Sequence, residues 1–147
     1  KPFTDAAGAA SWALLFHNEG LEVDVFFSHS WAEGCFEFVK KVLHSWPRGA
    51  KAAYVCFLSN PQNLDISALV ASPSQSPFAK ALEESKTMVA IPNSKCGIYN
   101  RAWCVYEVFL AHSQGKAITI ASTPIQHLGT QTFSAFTTTV GAWGLIF

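Results

Sequence analysis

Charged side chains are scarce in this chain: Asp, Glu, Lys and Arg make up 14% of its 147 residues, against about 25% in an average globular domain. Ten basic and ten acidic residues cancel to a formal net charge of zero. No basic stripe runs along any segment, so the electrostatic footprint of a nucleic-acid binder is missing. The near-neutral balance also gives copies of the chain little reason to stay apart in solution. Four cysteines, Cys35, Cys56, Cys96 and Cys104, include no C-x-x-C pair, and Cys96, Cys104 and His112 lack structural-zinc spacing, so no metal site is expected. Cys56 in an apolar run and Cys35 at a helix start read as small reduced hydrophobes, which points to a reducing intracellular compartment, cytoplasm or organelle interior. Uninterrupted apolar runs of membrane-spanning length are missing as well, as is a signal peptide. The first residue is Lys1 rather than Met, and the chain is expected to be a processed product or a fragment.

Half of the residues are hydrophobic, and the length suits one domain with a sizeable core. Val23-Asp24-Val25-Phe26-Phe27, bounded by Gly20 and Ser28-His29-Ser30, reads as a buried strand. Ser30 and Glu33 make a capping box for a helix expected to bury Phe36, Val39, Val42, Leu43 and Trp46 and to stop at Pro47. A second strand is expected over Ala52 to Leu58, then a loop rich in breakers from Ser59 to Gln75. Ser76-Pro77 opens a second helix to about Ser85, and Thr87 to Ile91 forms a third strand ended by Pro92. Asn100 is the expected cap of a third helix ending near Gly115, before a fourth strand from Lys116 to Ala121. Strands alternating with helices predict an α/β, flavodoxin-like three-layer sandwich with a parallel sheet of four to five strands. Its ligand crevice belongs at the carboxyl ends of the strands.

Arg101-Ala102-Trp103-Cys104-Val105-Tyr106-Glu107-Val108 carries the chemistry of greatest interest. Residues three and four apart share a helix face, so Glu107 lies one turn beyond Trp103 and Cys104 on the same side. A carboxylate there is either paired in the core or faces a crevice and acts. Trp103 reads as a core residue that is also placed to be a stacking platform. The Ser28-His29-Ser30 turn, ahead of a helix N-terminus, offers backbone N–H groups to a phosphate, and His29 titrates near neutrality. A Cys104–His29 nucleophile pair is the sharper and less favoured reading of that thiol, packing against the sheet the plainer one. A phospho-receiver is excluded, because no acid follows Phe27 before Glu33.

Three segments in order resemble the TIR domain superfamily, particularly its divergent protist-type members. Val23-Asp24-Val25-Phe26-Phe27-Ser28-His29-Ser30-Trp31 is similar to the family's first strand. Ala81-Leu82-Glu83-Glu84-Ser85-Lys86 leading into Thr87-Met88-Val89-Ala90-Ile91 is similar to its second helix end and third strand. Arg101 to Val108 is similar to its Trp-Cys-x-x-Glu helix. The loop from Ser59 to Gln75 departs from the family pattern and contains no glycine.

The resemblance implies one of two roles. One is a TIR-like protein-interaction and signalling domain with a candidate NAD+ glycohydrolase site. There Glu107 would be the catalytic carboxylate stabilising an oxocarbenium-like transition state, and Ser28, His29, Ser30, Trp31 and Trp103 the substrate-binding residues. NAD+ would then be substrate, with no cofactor. The low charge and the uncharged apolar tail favour the alternative, a non-catalytic scaffold subunit of a larger complex, a membrane-associated one among the candidates. Both imply protein partners or self-association.

Residues 1–20 read as an N-terminal extension, 21–122 as the TIR-like domain and 123–147 as an uncharged apolar segment. From Ala117 onward there is no Asp, Glu, Lys or Arg, yet Phe133, Phe136, Val140, Trp143, Leu145, Ile146 and Phe147 crowd the last stretch. That stretch reads either as a final helix closing the domain or as a surface covered by a partner or a membrane complex.

Overall fold

A computed structural model describes residues 10–30, 34–61, 71–95 and 97–123, together with Gly8, Asn63, Asp65 and Ser67. In chain order these form α1 (Trp12–Phe16), β1 (Val25–His29), α2 (Cys35–His44), β2 (Ala53–Val55), α3 (Cys56–Ser59), α4 (Pro77–Glu84), β3 (Thr87–Ile91), α5 (Ala102–Ser113) and β4 (Ala117–Ile120). Short 3-10 turns at Pro73–Gln75 and Ile98–Asn100 precede α4 and α5.

The sheet has four strands, all parallel, in the order β2-β1-β3-β4. Phe26 pairs with Tyr54 on one side and Met88 on the other, so β1 and β3 are the interior strands. Every residue of β1 is buried, as expected of a parallel strand covered on both faces. Alternation sends Val25 and Phe27 to one side, where they cluster with Val55, Val89, Ile91 and Phe38 of α2. Phe26 goes to the other side with Tyr54, Met88, Phe78 and Leu82 of α4, and Ala111 of α5. These are the three layers of a doubly wound α/β fold. The chain leaves β1 for β2 on one flank and returns to β3 on the other, so the topological switch lies between β1 and β3.

Asp24 pins the amino ends of three strands. Its Oδ2 accepts from Lys51 N at 2.8 Å and Ala52 N at 3.2 Å, and its Oδ1 accepts from Lys86 Nζ at 2.6 Å. Its backbone carbonyl accepts from Lys86 N and Thr87 N. These donors, led by the Lys86 ammonium, hold the carboxyl at about 2.

Where the local chemistry is strong, the elements form as the sequence predicts. Ser76 Oγ accepts from Ala79 N at 3.2 Å with Pro77 at the first helical position. Gly115, at φ 68°, ends α5 in the left-handed conformation that favours glycine.

Elsewhere the structure corrects the sequence reading. α2, the first helix expected from the sequence, does not start from a Ser30–Glu33 box: it begins at Cys35 after Gly34, with no side-chain cap, and Ser30 is buried instead. Nor does it bury the apolar set the periodicity suggested. Phe38 is its one fully buried residue, with Val42 packed partly behind it, whereas Phe36 is 93% and Leu43 72% exposed. The helix carries two apolar stripes, Phe38–Val42 and Phe36–Val39–Leu43, and only one of them can face the sheet. Glu37 and Lys41 decide which: they pair at 2.7 Å, Lys41 Nζ also donates to Pro92 O, and Glu37 accepts from Ser94.

The second strand stops at Val55 rather than Leu58, because Ser59 Oγ accepts from Val55 N at 3.2 Å and Asn60 N donates to Cys56 O at 3.0 Å, curling the chain into α3. Asn100 does not cap α5. It closes the preceding 3-10 turn, and Arg101 takes the cap position without a side-chain bond. Trp31, Glu33, Cys96 and 124–147 lie outside the described residues.

Candidate functional site

The carboxyl end of β1, beside the switch between β1 and β3, gathers most of the residues singled out from the sequence. Ser28 points to the α4/α5 side of the sheet, in register with Ala90. There its hydroxyl meets Glu107 Oε2 at 2.5 Å, both side chains buried. Glu107 reaches this position because Cys104, Glu107 and Ala111 form the buried stripe of α5, spaced by three and four. Only 6% of Glu107 is exposed. Burial pushes its carboxyl up to about 7, partly opposed by the hydrogen bond from Ser28. It therefore exchanges a proton near neutrality, a property shared by catalytic acids and by sealed structural ones.

His29 is one residue further and turns the opposite way. Its ring is packed between Phe38, at 4.9 Å, and Phe57, at 5.2 Å edge-on. Burial lowers its pKa, so the imidazole is held neutral, with the Phe27 backbone opposing that shift. Cys104 does not meet the ring: its thiol donates to the His29 carbonyl oxygen at 3.6 Å. The sulfur that meets His29 Nε2, at 3.7 Å, belongs to Cys56. Sequence reasoning placed Cys56 in a core strand and missed this contact. The available signal was its position directly after β2, since neighbouring parallel strands bring their carboxyl ends together. Cys35, Cys56 and Cys104 form no disulfide.

Trp103 sits a turn before Glu107 but packs edge-on against Phe78 at 5.5 Å and tilted against Tyr106 at 5.6 Å. Its buried Nε1 has no acceptor among the described residues. Ser28, Glu107 and Trp103 thus share the α4/α5 side, the His29 ring lies on the other, and Ser30 is buried at the strand exit. Among the described residues no cluster of His, Cys, Asp and Glu is arranged to hold a metal, and no helix is long and apolar enough to cross a membrane.

A cavity of about 720 Å³ opens elsewhere, along β2 and α2, which contributes Phe38 and Val42 as well as Val39 and Leu43, and neither Ser28, His29 nor Glu107 lines it. Its walls include Leu14 and Leu21 from the N-terminal segment, Val39, Leu43 and Trp46 from α2 and its exit, and Leu58 of α3. Lys51 and Lys80 also line it, and no acidic residue does among the described residues. Nothing in the sequence reading foresaw this groove, because Val39, Val42, Leu43 and Trp46, which line it, were assigned to the core.

Searches with this chain against protein-family models, curated proteins and solved structures found no match.

Proposed function

We propose that this chain is a TIR-like protein-interaction module in which Glu107 clamps α5 to β1 and the apolar groove beside α2 is the docking surface. The observation that carries this reading is the separation of the two features. The carboxyl is sealed against Ser28 at the switch between β1 and β3, while the open, apolar concavity lies on the far side of β2. A carboxylate stabilising an oxocarbenium-like centre must reach the sugar. Supporting the family reading, the three TIR-like segments fall in β1, at the junction of α4 with β3, and in α5, in the family's order. As a scaffold, such a module would work inside a larger assembly, with a membrane complex among the candidate partners.

The second reading, an NAD+ glycohydrolase, is favoured by one observation: Glu107 stands beside the topological switch with a proton affinity near neutrality. Nicotinamide release from NAD+ by concentrated wild-type chain and by Glu107→Gln separates the two. The interaction reading expects no turnover from either protein. Turnover by the wild type that Glu107→Gln abolishes would overturn it and make NAD+ the substrate.

A further inference from the structure

We infer that the groove beside α2 is the seat of the chain's own uncharged segment, residues 130–147. The inference rests on reading the groove as a docking surface and gives it an intramolecular occupant, which a protein partner using the same surface would have to displace. The described chain ends beside the groove. Beyond β4, Ser122 N donates to Ser45 Oγ at 3.0 Å, and Ser45 Oγ reaches Ser122 O at 3.4 Å. Ser45 caps α2, between Leu43 and Trp46, which both line the groove. The path out of the sheet is therefore fastened to the groove's own wall.

The seven residues from Pro124 to Thr130 can extend over roughly 23 Å. The ten residues of α2 rise only about 15 Å. The apolar residues from Phe133 onward can thus be brought anywhere along the α2 wall of the groove.

Val39, Leu43, Leu58 and Leu21 are exposed large apolar side chains around the cavity. The segment from Thr130 to Phe147 offers seven large apolar residues and no charge, so seating it buries apolar surface on both sides without desolvating an ion. Lys51 and Lys80 keep their ammonium groups in water.

Hydrogen exchange on the full chain tests this reciprocally. Phe133→Asp combined with Phe136→Asp should speed amide exchange in 12–21 and 39–46 by about tenfold, and Leu43→Arg should do the same to 130–147. Both effects should be independent of protein concentration, with the β3 amides still protected. Should Leu43→Arg also unprotect β3, Leu43→Ser takes its place with the same expected release of 130–147. The inference is overturned if the Asp pair leaves 12–21 and 39–46 unchanged, or if the groove variant leaves 130–147 unchanged. Protection of the groove that appears only at high concentration would also overturn it. That outcome would assign the groove to a second copy and leave the interaction reading standing. Nicotinamide release, measured separately, bears on that reading alone.

Discussion

Ser28 and Glu107, 79 residues apart in the chain, meet at 2.5 Å in the buried layer between β1 and α5. Ser28→Ala removes the one identified hydrogen bond that lowers the pKa of Glu107. The variant is expected to lose roughly 1–3 kcal/mol of stability, the cost of a buried polar group deprived of its partner. Urea denaturation at pH 7 measures it.

Glu107 also gives stability a pH dependence of definite sign. Burial pushes its carboxyl up to about 7 when folded, against an ordinary value of 4.5, so between those values the folded chain binds more protons than the unfolded one. The contribution is complete below pH 4.5 and fades as pH rises through 7, amounting to roughly 3 kcal/mol over the window. Glu107→Gln, neutral at every pH, should match the wild type at low pH and become the more stable protein at pH 8. Denaturation curves of the pair from pH 5 to 8 check this. His29, whose pKa is lowered by burial, acts in both proteins alike by withdrawing stability as pH falls below its usual range, so it cancels in the difference.

The two stripes of α2 predict opposite results for two neighbouring phenylalanines. Phe38→Ala empties a site in the core shared with β1 and β3 and should cost about 3–5 kcal/mol. Phe36→Ala, at a position 93% exposed, should shift stability by no more than about 0.5 kcal/mol. Thermal unfolding of both variants distinguishes this packing from one with the stripes reversed.

Asp24 contributes to the acid limb of the stability curve, as does Glu37, which Lys41 and Ser94 hold below its ordinary value. Because Lys86 and the amides of Lys51 and Ala52 hold the pKa of Asp24 near 2, its contribution is present above the usual carboxylate value and disappears as pH falls towards 2. Asp24→Asn should lower the melting temperature at neutral pH and flatten the loss between pH 4 and 2, as followed by circular dichroism.

Much of the architecture was legible because local signals and the overall pattern agreed. Ser76-Pro77, Thr87 to Ile91 and Gly115 each carry enough backbone chemistry to fix an element wherever they occur. The pairing of Ser28 with Glu107 was only half legible. Periodicity puts Glu107 on the inner stripe of α5, yet its partner depends on strand order, which no local signal states. The face of α2 was misread because apolar spacing alone cannot choose between two stripes. The choice goes with the contacts of Glu37 and Lys41, whose partners Pro92 and Ser94 lie in the segment that follows β3. Cys56 was missed as the neighbour of His29 for the same reason, since the contact arises from strand adjacency.

The brevity of β2 bears on how this molecule survives crowding. An open sheet margin is a template on which another molecule's strand can be laid, and like charge is a common deterrent. A chain with no net charge has little of that deterrent. Here the flanking strand runs for three residues before Ser59 and Asn60 turn the backbone into a helix. Too few consecutive amides and carbonyls are left in line for a foreign strand to gain a stable register. Lengthening β2 by replacing Ser59 would therefore be felt first as fibril or precipitate formation, ahead of any change in the folded monomer.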